Sequence, residues 1–350
     1  MNTFAERLRS ARIMTKLSMD GLVERIDGAV TKQSISKYER GLSLPDSDLL
    51  IKIAQALSVP VDYFFRERFI SLEAINFRKK AGLAEKELGS IQEQVKDSLE
   101  RYIELETLLG INPNFVNPLK EQIISSLEDV EQAAERVREF WRAGASSPIT
   151  SVISLLEENE VKIIELKVGE GFEGLSGLAN GNPVIILRSD SSNDRKRFTA
   201  LHELAHLILR VEGALEKKEK ERLCHTLAGA LLLPRQAVLK ELSAPSRSNI
   251  SLFELVKIKG HYGISIQAVM ARAKAVGIIS EYVYKQFNIL INRYQWRVQE
   301  PGVYPVHEKS VRFKQLLHHA MAEEMISISK AAVLSGSSIE ELQREMVQAE

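Results

Sequence analysis

The chain has 350 residues, with 44% hydrophobic and 27% charged side chains, a composition expected to fill two or three soluble globular domains at the usual ~100–200 residues each. Lys plus Arg and Asp plus Glu are equal at 47 each, which excludes a global basic field, so any DNA-binding surface must be local. One cysteine, Cys224, excludes an intrachain disulfide framework and a Cys-rich zinc finger, and the lack of a signal-type apolar region or of an ~18-residue apolar run predicts a cytoplasmic protein with no membrane partner.

Residues 1–66 read as a block of short helices. Phe4, Leu8, Ala11 and Arg12 fall on a helical repeat, and Ser18 is placed to cap a second helix from Met19 to Ile26. Asp27-Gly28-Ala29-Val30 is a turn, after which Thr31 caps Lys32 to Glu39. Gly41 ends that helix and Pro45 follows it. Leu49, Leu50, Ile53, Ala54 and Leu57 mark a fourth helix, and the aromatics of residues 62–66 close a small core.

From about 70 to 110 the pattern is one long helix, with Ile91, Val95, Leu99, Tyr102, Leu105 and Leu109 on one stripe. Residues 71–130 carry 7 basic and 11 acidic side chains, against 11 and 9 in residues 1–70. An uncovered apolar stripe of that size is a liability, so it is expected either to mate with a second copy in a homodimer or to dock on the chain's own second domain. A helix from Leu127 to Trp141 follows. Val161 to Leu166 and Pro183 to Arg188 are strand candidates, separated by turns containing Gly169, Gly171, Gly174, Gly177 and Gly181. Helical pattern returns at 196–210 and 218–233, and the remainder is mostly helical with a loop near 299–305. The expected fold is mainly α with a small β-sheet. It divides at 1–66, 67–145 (a helical connector), 146–245 and 246–350 (a helical C-terminal region).

Residues 202–206 read His-Glu-Leu-Ala-His inside a helical window. Positions i and i+4 share a helix face, so His202 and His206 can each direct a ring nitrogen to one metal. Glu203 is rotated by about 100°, which keeps it off the metal and beside the water that a catalytic metal would polarise, as a general base requires. In a chain with 7 histidines, HExxH arises by chance on the order of once per hundred such chains. A catalytic zinc needs a third protein ligand and an open fourth position. Glu216 and Glu219 lie in a solvated charge run, whereas Glu221 stands where that run meets an apolar face. His225, one turn on, can ligate instead, or serve the developing oxyanion or the shell around the ligands. Cys224 is the soft-ligand rival, although an isolated cysteine is more often a small buried hydrophobe. Spacing favours Glu221 over His225 only modestly.

Residues 197–209 (RFTALHELAHLIL) and 221–234 (ERLCHTLAGALLLP) resemble the paired signature of the ImmA/IrrE metallopeptidases, and the likeness extends to 147–177 and 262–280. The resemblance implies an α+β, zincin-like domain, zinc (Zn2+) ligation by His202, His206 and Glu221, and Glu203 as base. Three departures are Leu227 where the family usually has Phe, Ala205 for a frequent Gly, and His225 for the commonest Asn. The N-terminal block, in residues 17–45, resembles lambda-repressor/Cro-type (XRE class) helix-turn-helix domains, whose second helix enters the DNA major groove. By position in that resemblance, Lys32, Gln33 and Ser36 face bases while Thr31, Ser34, Lys37 and Arg40 hold phosphates. Met19 stands where a phosphate-contacting Gln is common, and the turn between Leu22 and Ile35 is two residues longer than the usual pattern.

Together these readings imply a DNA-binding transcription regulator fused to a zinc-dependent endopeptidase. Its expected partners are a double-stranded DNA operator and a protein substrate, a repressor or antitoxin-like protein. An extended substrate is expected to pair with the strand at 183–188. The alternative is a regulator whose second domain senses without cutting. The histidine pair His318-His319 reads as surface.

Overall fold

A computed structural model of the chain describes residues 3–66, 84–169, 171–211, 215–243 and 246–348. The first part of the expected connector, 67–83, lies outside the described residues. The expectation of a mainly helical chain with a small sheet holds: sixteen α-helices and five short strands occur among the described residues. These form two compact units, one of residues 3–66, 84–112 and 311–348, the other of 113–310.

The first unit opens with α1 (Thr3–Met14), α2 (Met19–Arg25), α3 (Lys32–Glu39), α4 (Ser47–Leu57) and a 3-10 turn (Val61–Phe64). The starts of α2, α3 and α4 are each written in a cap. Ser18 accepts from the Gly21 amide at 2.9 Å, Thr31 from Ser34 at 3.3 Å and Asp46 from Leu49 at 2.9 Å. The turn into α3 runs through Asp27 and Gly28, both with positive φ (54° and 67°), a conformation cheap for glycine and tolerated by Asp. Leu8, Leu22, Ile35, Ile53 and Phe64 form the buried centre.

Helix α5 (Glu85–Leu108) continues this unit. Its stripe is not open to a second copy. Ile91, Val95, Leu99, Tyr102 and Leu105 are buried, because α5 lies along α1 and its C-terminal half is covered by helices from the end of the chain. Ser90 Oγ donates to the Met14 carbonyl at 2.6 Å, and Glu100 pairs with buried Arg7. The stripe is therefore corrected as the seam for a second copy: the face is consumed within its own unit.

The second unit contains β1 (Ile123–Ile124), α6 (Leu127–Phe140), α7 (Val152–Glu158), β2 (Lys162–Leu166), β3 (Gly174–Ala179) and β4 (Asn182–Arg188). It continues with α8 (Asn193–Ile208), β5 (Arg210–Val211), α9 (Lys217–Leu232), α10 (Arg235–Leu242), α11 (Leu252–Tyr262), α12 (Ile266–Ala275) and α13 (Glu281–Arg293). The three-stranded sheet has the order β2-β4-β3, with β2 parallel and β3 antiparallel to β4. Strand β4 has a neighbour on each side, so the expected pairing of a substrate with residues 183–188 is overturned: that strand's hydrogen-bonding edges are taken. Strand β3 covers residues whose pattern reads as glycine-rich turn. It forms because Asn180 and Gly181, both at positive φ (50° and 79°), make the two-residue hairpin turn that joins it to β4.

The chain then re-enters the first unit as α14 (Arg312–Ala322), α15 (Ile328–Ser335) and α16 (Ile339–Gln348). Tyr102 of α5 meets Phe313 of α14 with ring centroids 5.5 Å apart, beside Leu105, Leu317 and Leu334. The expected connector and C-terminal region therefore each divide between the two units, and the second unit is an insertion between residues 112 and 311. Complementary apolar faces far apart in sequence, not the local pattern, set these boundaries.

Candidate metal centre

Helix α8 packs against α9 and against β3 and β4. Its base is fixed by Arg197, which is fully buried and pairs with Glu308 while donating to the carbonyls of Ile149 (2.6 Å), Thr150 (3.1 Å), Tyr262 (3.2 Å) and Gly263 (3.2 Å). Further along the helix, His202 and His206 present their Nε2 atoms 3.2 Å apart. From α9, Glu221 Oε2 lies 3.3 Å from the first and 3.5 Å from the second. The His-x-x-x-His spacing and the single carboxylate thus converge on one point.

Tetrahedral ligands bonded at about 2.0–2.1 Å are separated by about 3.3–3.4 Å. The three edges match that separation, so the two imidazoles and the carboxylate fit a zinc ion with the fourth vertex open. Cys224 Sγ lies 3.3 Å from His206 Nδ1. A proton on Nδ1, shared with that sulfur, leaves the Nε2 lone pair for the metal. Cys224 is buried and meets the imidazole at Nδ1, the nitrogen that is not part of the donor triangle.

His225 also lies close. Its ring stacks between Phe198 (centroids 5.7 Å) and His202 (4.3 Å), and one donor atom each of His202, Glu221 and His225 fall within 4.8 Å. Desolvation lowers its pKa, against the opposing charge of Glu221, although the residue remains exposed to solvent on one side. The triangle with His206 is the tighter set.

Glu203 is buried at 7% exposure, and its Oε2 accepts from Ser176 Oγ of β3 at 2.7 Å. Gly174 permits this approach: a Cβ there would sit 2.5 Å from Thr199 Cγ2 and 3.1 Å from Glu203 Cγ. Sequence reasoning gave neither Ser176 nor Gly174 a place in the site. The Asn180-Gly181 hairpin signal was the available clue that the glycine-rich stretch is a strand against α8.

In the first unit, Lys32, Gln33 and Lys37 are exposed along α3 and Arg40 at its C-cap, while Ile35 is buried. Thr31 and Ser34 are joined in the cap (Oγ1 to Oγ, 3.1 Å), and Ser36 is half-buried. Arg12 grips Glu39 with two bonds of 2.6 and 2.9 Å, holding α3 to α1. Met19 packs against the core.

Residues 156–274 match the family model of the IrrE N-terminal-like domain (Peptidase_M78), and residues 8–64 match that of a helix-turn-helix domain. A curated relative, "Uncharacterized transcriptional regulator in ATPase CF(0) region" of Rhodospirillum rubrum, is 42% identical over 62 residues, 18% of this chain and 56% of the relative. The chain thus spans about half the length of that relative. It carries an XRE-type helix-turn-helix domain and an IrrE/ImmA-like peptidase-family domain. No helix among the described residues is long and apolar enough to cross a membrane.

Proposed function

We propose that this helix-turn-helix, peptidase-family chain is a DNA-binding regulator with a zinc-dependent endopeptidase, and that it cleaves a repressor or antitoxin-like protein in the cytoplasm. The observation carrying the peptidase half is the triangle of His202, His206 and Glu221, with edges of 3.2, 3.3 and 3.5 Å. Zinc, when bound, polarises the scissile carbonyl and the attacking water. Glu203 takes the water's proton and returns it to the leaving amine, and the Ser176 hydroxyl holds the carboxylate during both transfers. His225, whose donor atom falls within 4.8 Å of those of His202 and Glu221, would donate to the oxygen on which negative charge develops.

Exchanging Glu221 for Gln is expected to lower zinc affinity by at least about tenfold with the fold intact, because a charged ligand becomes a neutral near-isostere. His225→Ala should retain zinc. Metal content after dialysis against a chelator checks both. Full zinc in the Glu221→Gln variant together with its loss in the His225→Ala variant would make His225 the third ligand.

For the DNA half, we assign Lys32, Gln33 and Ser36 to base edges, and Thr31, Ser34, Lys37 and Arg40 to phosphates. The side chains of Lys32, Gln33 and Lys37 on α3 and of Arg40 at its C-cap stand clear of the core, and Ile35 anchors the opposite face of the helix. A Gln33→Ala variant is expected to lose roughly 1–3 kcal/mol at one operator position if Gln33 reads adenine with two bonds. Binding titrations on operators altered one base pair at a time test this, since equal losses on every sequence would reduce Gln33 to a backbone contact. An absence of salt-dependent DNA binding would remove the DNA half altogether.

A further inference from the structure

We infer that the cavity between α9 and α12 receives a large apolar side chain of the polypeptide substrate, next to the bond that is cut. This inference rests on the metallopeptidase reading. The cavity has a volume of about 940 Å³, and Glu221 and His225 are among its lining residues. Their spacing of four on α9 continues to Gly229, so one wall runs from the metal ligand directly into the cavity. The facing wall is α12, which contributes Ala268, Ala271 and Ala275. The α12 wall is low because its alanine side chains are small, and Gly229 leaves space at the inner end of the α9 wall. Phe198 and Tyr284 supply aromatic edges.

Most charged groups of this cavity lie at its solvent end or in a buried pair; of its other polar groups, Thr226 donates to the Arg222 carbonyl at 2.8 Å, Ser265 accepts from the Ala268 amide at 3.1 Å, and Gln267 lines the side shared with the second hollow. Glu216, Lys218, Glu219 and Arg222 lie at the N-terminal end of α9, where the chain meets solvent. The charged residue of the inner wall, Arg272, is buried, pairs with Glu131 and donates to the Leu233 carbonyl at 2.9 Å. A Cβ on Gly229 would stand 3.2 Å from Arg272 Cδ, so the glycine lets that side chain pass along the wall. An apolar guest against the alanines of α12 gains in proportion to the area it buries.

The hollow on the other side of Phe198 differs. It has a volume of about 600 Å³ and is lined by Asp194, Arg195, Lys259, Arg297 and Glu300, which suit a polar stretch. The two hollows share Phe198, Ser265 and Gln267. Of these two, the α9–α12 side has the size and the apolar walls for a bulky hydrophobic residue.

Small hydroxamates test this without turnover, because the hydroxamate group anchors on a bound metal and any appended side chain must find its own pocket. Calorimetry on the zinc-loaded full chain would compare acetohydroxamate with a hydroxamate carrying one benzyl group. The benzyl compound is expected to bind about thirtyfold tighter. In Ala271→Trp at least about tenfold of that gain should vanish, with acetohydroxamate binding unchanged within about twofold. Ala275→Trp, on the same wall, gives the same reading if Trp at 271 perturbs folding. Equal binding of the two compounds by the wild type, or a benzyl gain untouched by both variants, overturns the pocket and leaves the metal centre standing. A chain that takes up no zinc, or binds neither compound, overturns the metallopeptidase reading and the pocket with it.

Discussion

Glu203→Gln is expected to leave zinc bound and to lower peptide hydrolysis by roughly 10²–10⁴-fold, the usual contribution of a positioned general base. Glu203 follows His202 in the chain and is not one of the three groups of the donor triangle. Its Oε2 accepts from the buried Ser176 hydroxyl at 2.7 Å, so the side chain is aimed before any substrate arrives. Glutamine keeps the shape and can still accept from Ser176, but it has no lone pair basic enough to take a proton from water. Folding and metal content should therefore match the wild type. The measurement is metal analysis together with mass-spectrometric counting of cleaved bonds in a mixed-peptide library. Wild-type cleavage by the Glu203→Gln variant would remove Glu203 from the role of base. A wild type that holds zinc but cuts nothing in the library or in a co-encoded repressor would favour the sensing alternative.

Glu308→Ala is expected to destabilise the second unit by about 3–5 kcal/mol, the usual cost of breaking a buried pair from one side. Glu308 is 1% exposed and Arg197 0%. The carboxylate pairs with Arg197 and accepts from the Val152 and Ile153 amides at the start of α7, both at 3.0 Å. Truncation leaves a buried guanidinium without its counter-charge and two helix N–H groups without an acceptor. For a unit of this size that corresponds to roughly 6–20 °C in midpoint temperature. Zinc affinity should fall as well, because Arg197 anchors the base of the helix bearing both candidate histidine ligands. Thermal unfolding followed by circular dichroism, with and without zinc, reads both effects. A loss below ~1 kcal/mol would show that the carbonyls around Arg197 suffice to hold it.

The insertion of the peptidase-family unit between residues 112 and 311 gives this clamp its setting. The segment carrying Tyr304 and Glu308 is the last stretch of the second unit before the chain returns to the first. Tyr304 donates to the Thr150 carbonyl at 2.7 Å and stacks under Arg197, 4.4 Å from guanidinium carbon to ring centroid. Ser310, the closing residue, donates to Glu157 at 2.6 Å and through its amide to Glu165 at 2.9 Å. The return path is thus bound along its length to α7, β2 and α8.

Much of this was readable from the sequence, for a local reason. Caps, helical spacing and the i, i+4 histidine pair are written within a few consecutive residues, so Ser18, Thr31, α3 and the HExxH helix α8 could be placed before any fold was known. Glu221, a carboxylate at the border of a charge run and an apolar face, is favoured over His225 only modestly by spacing, because one helical face carries both. Partnership was not readable. The stripe of α5 looks the same whether a second copy, α1 or α14 covers it, since an apolar face specifies burial and not its partner. The run Val184-Ile-Ile-Leu reads as a strand, but nothing in it tells a central strand from an edge, so a substrate paired there meets edges that β2 and β3 occupy. Gly174 and Ser176 look like turn residues until β3 is seen against α8, where the absent side chain makes room for Glu203 and the hydroxyl holds it. Glu308 looks like an ordinary surface acid, and its partner Arg197 lies 111 positions away. Chemistry carried by spacing along one helix belongs to the sequence, whereas chemistry that depends on which distant groups become neighbours is decided by the packing of the core.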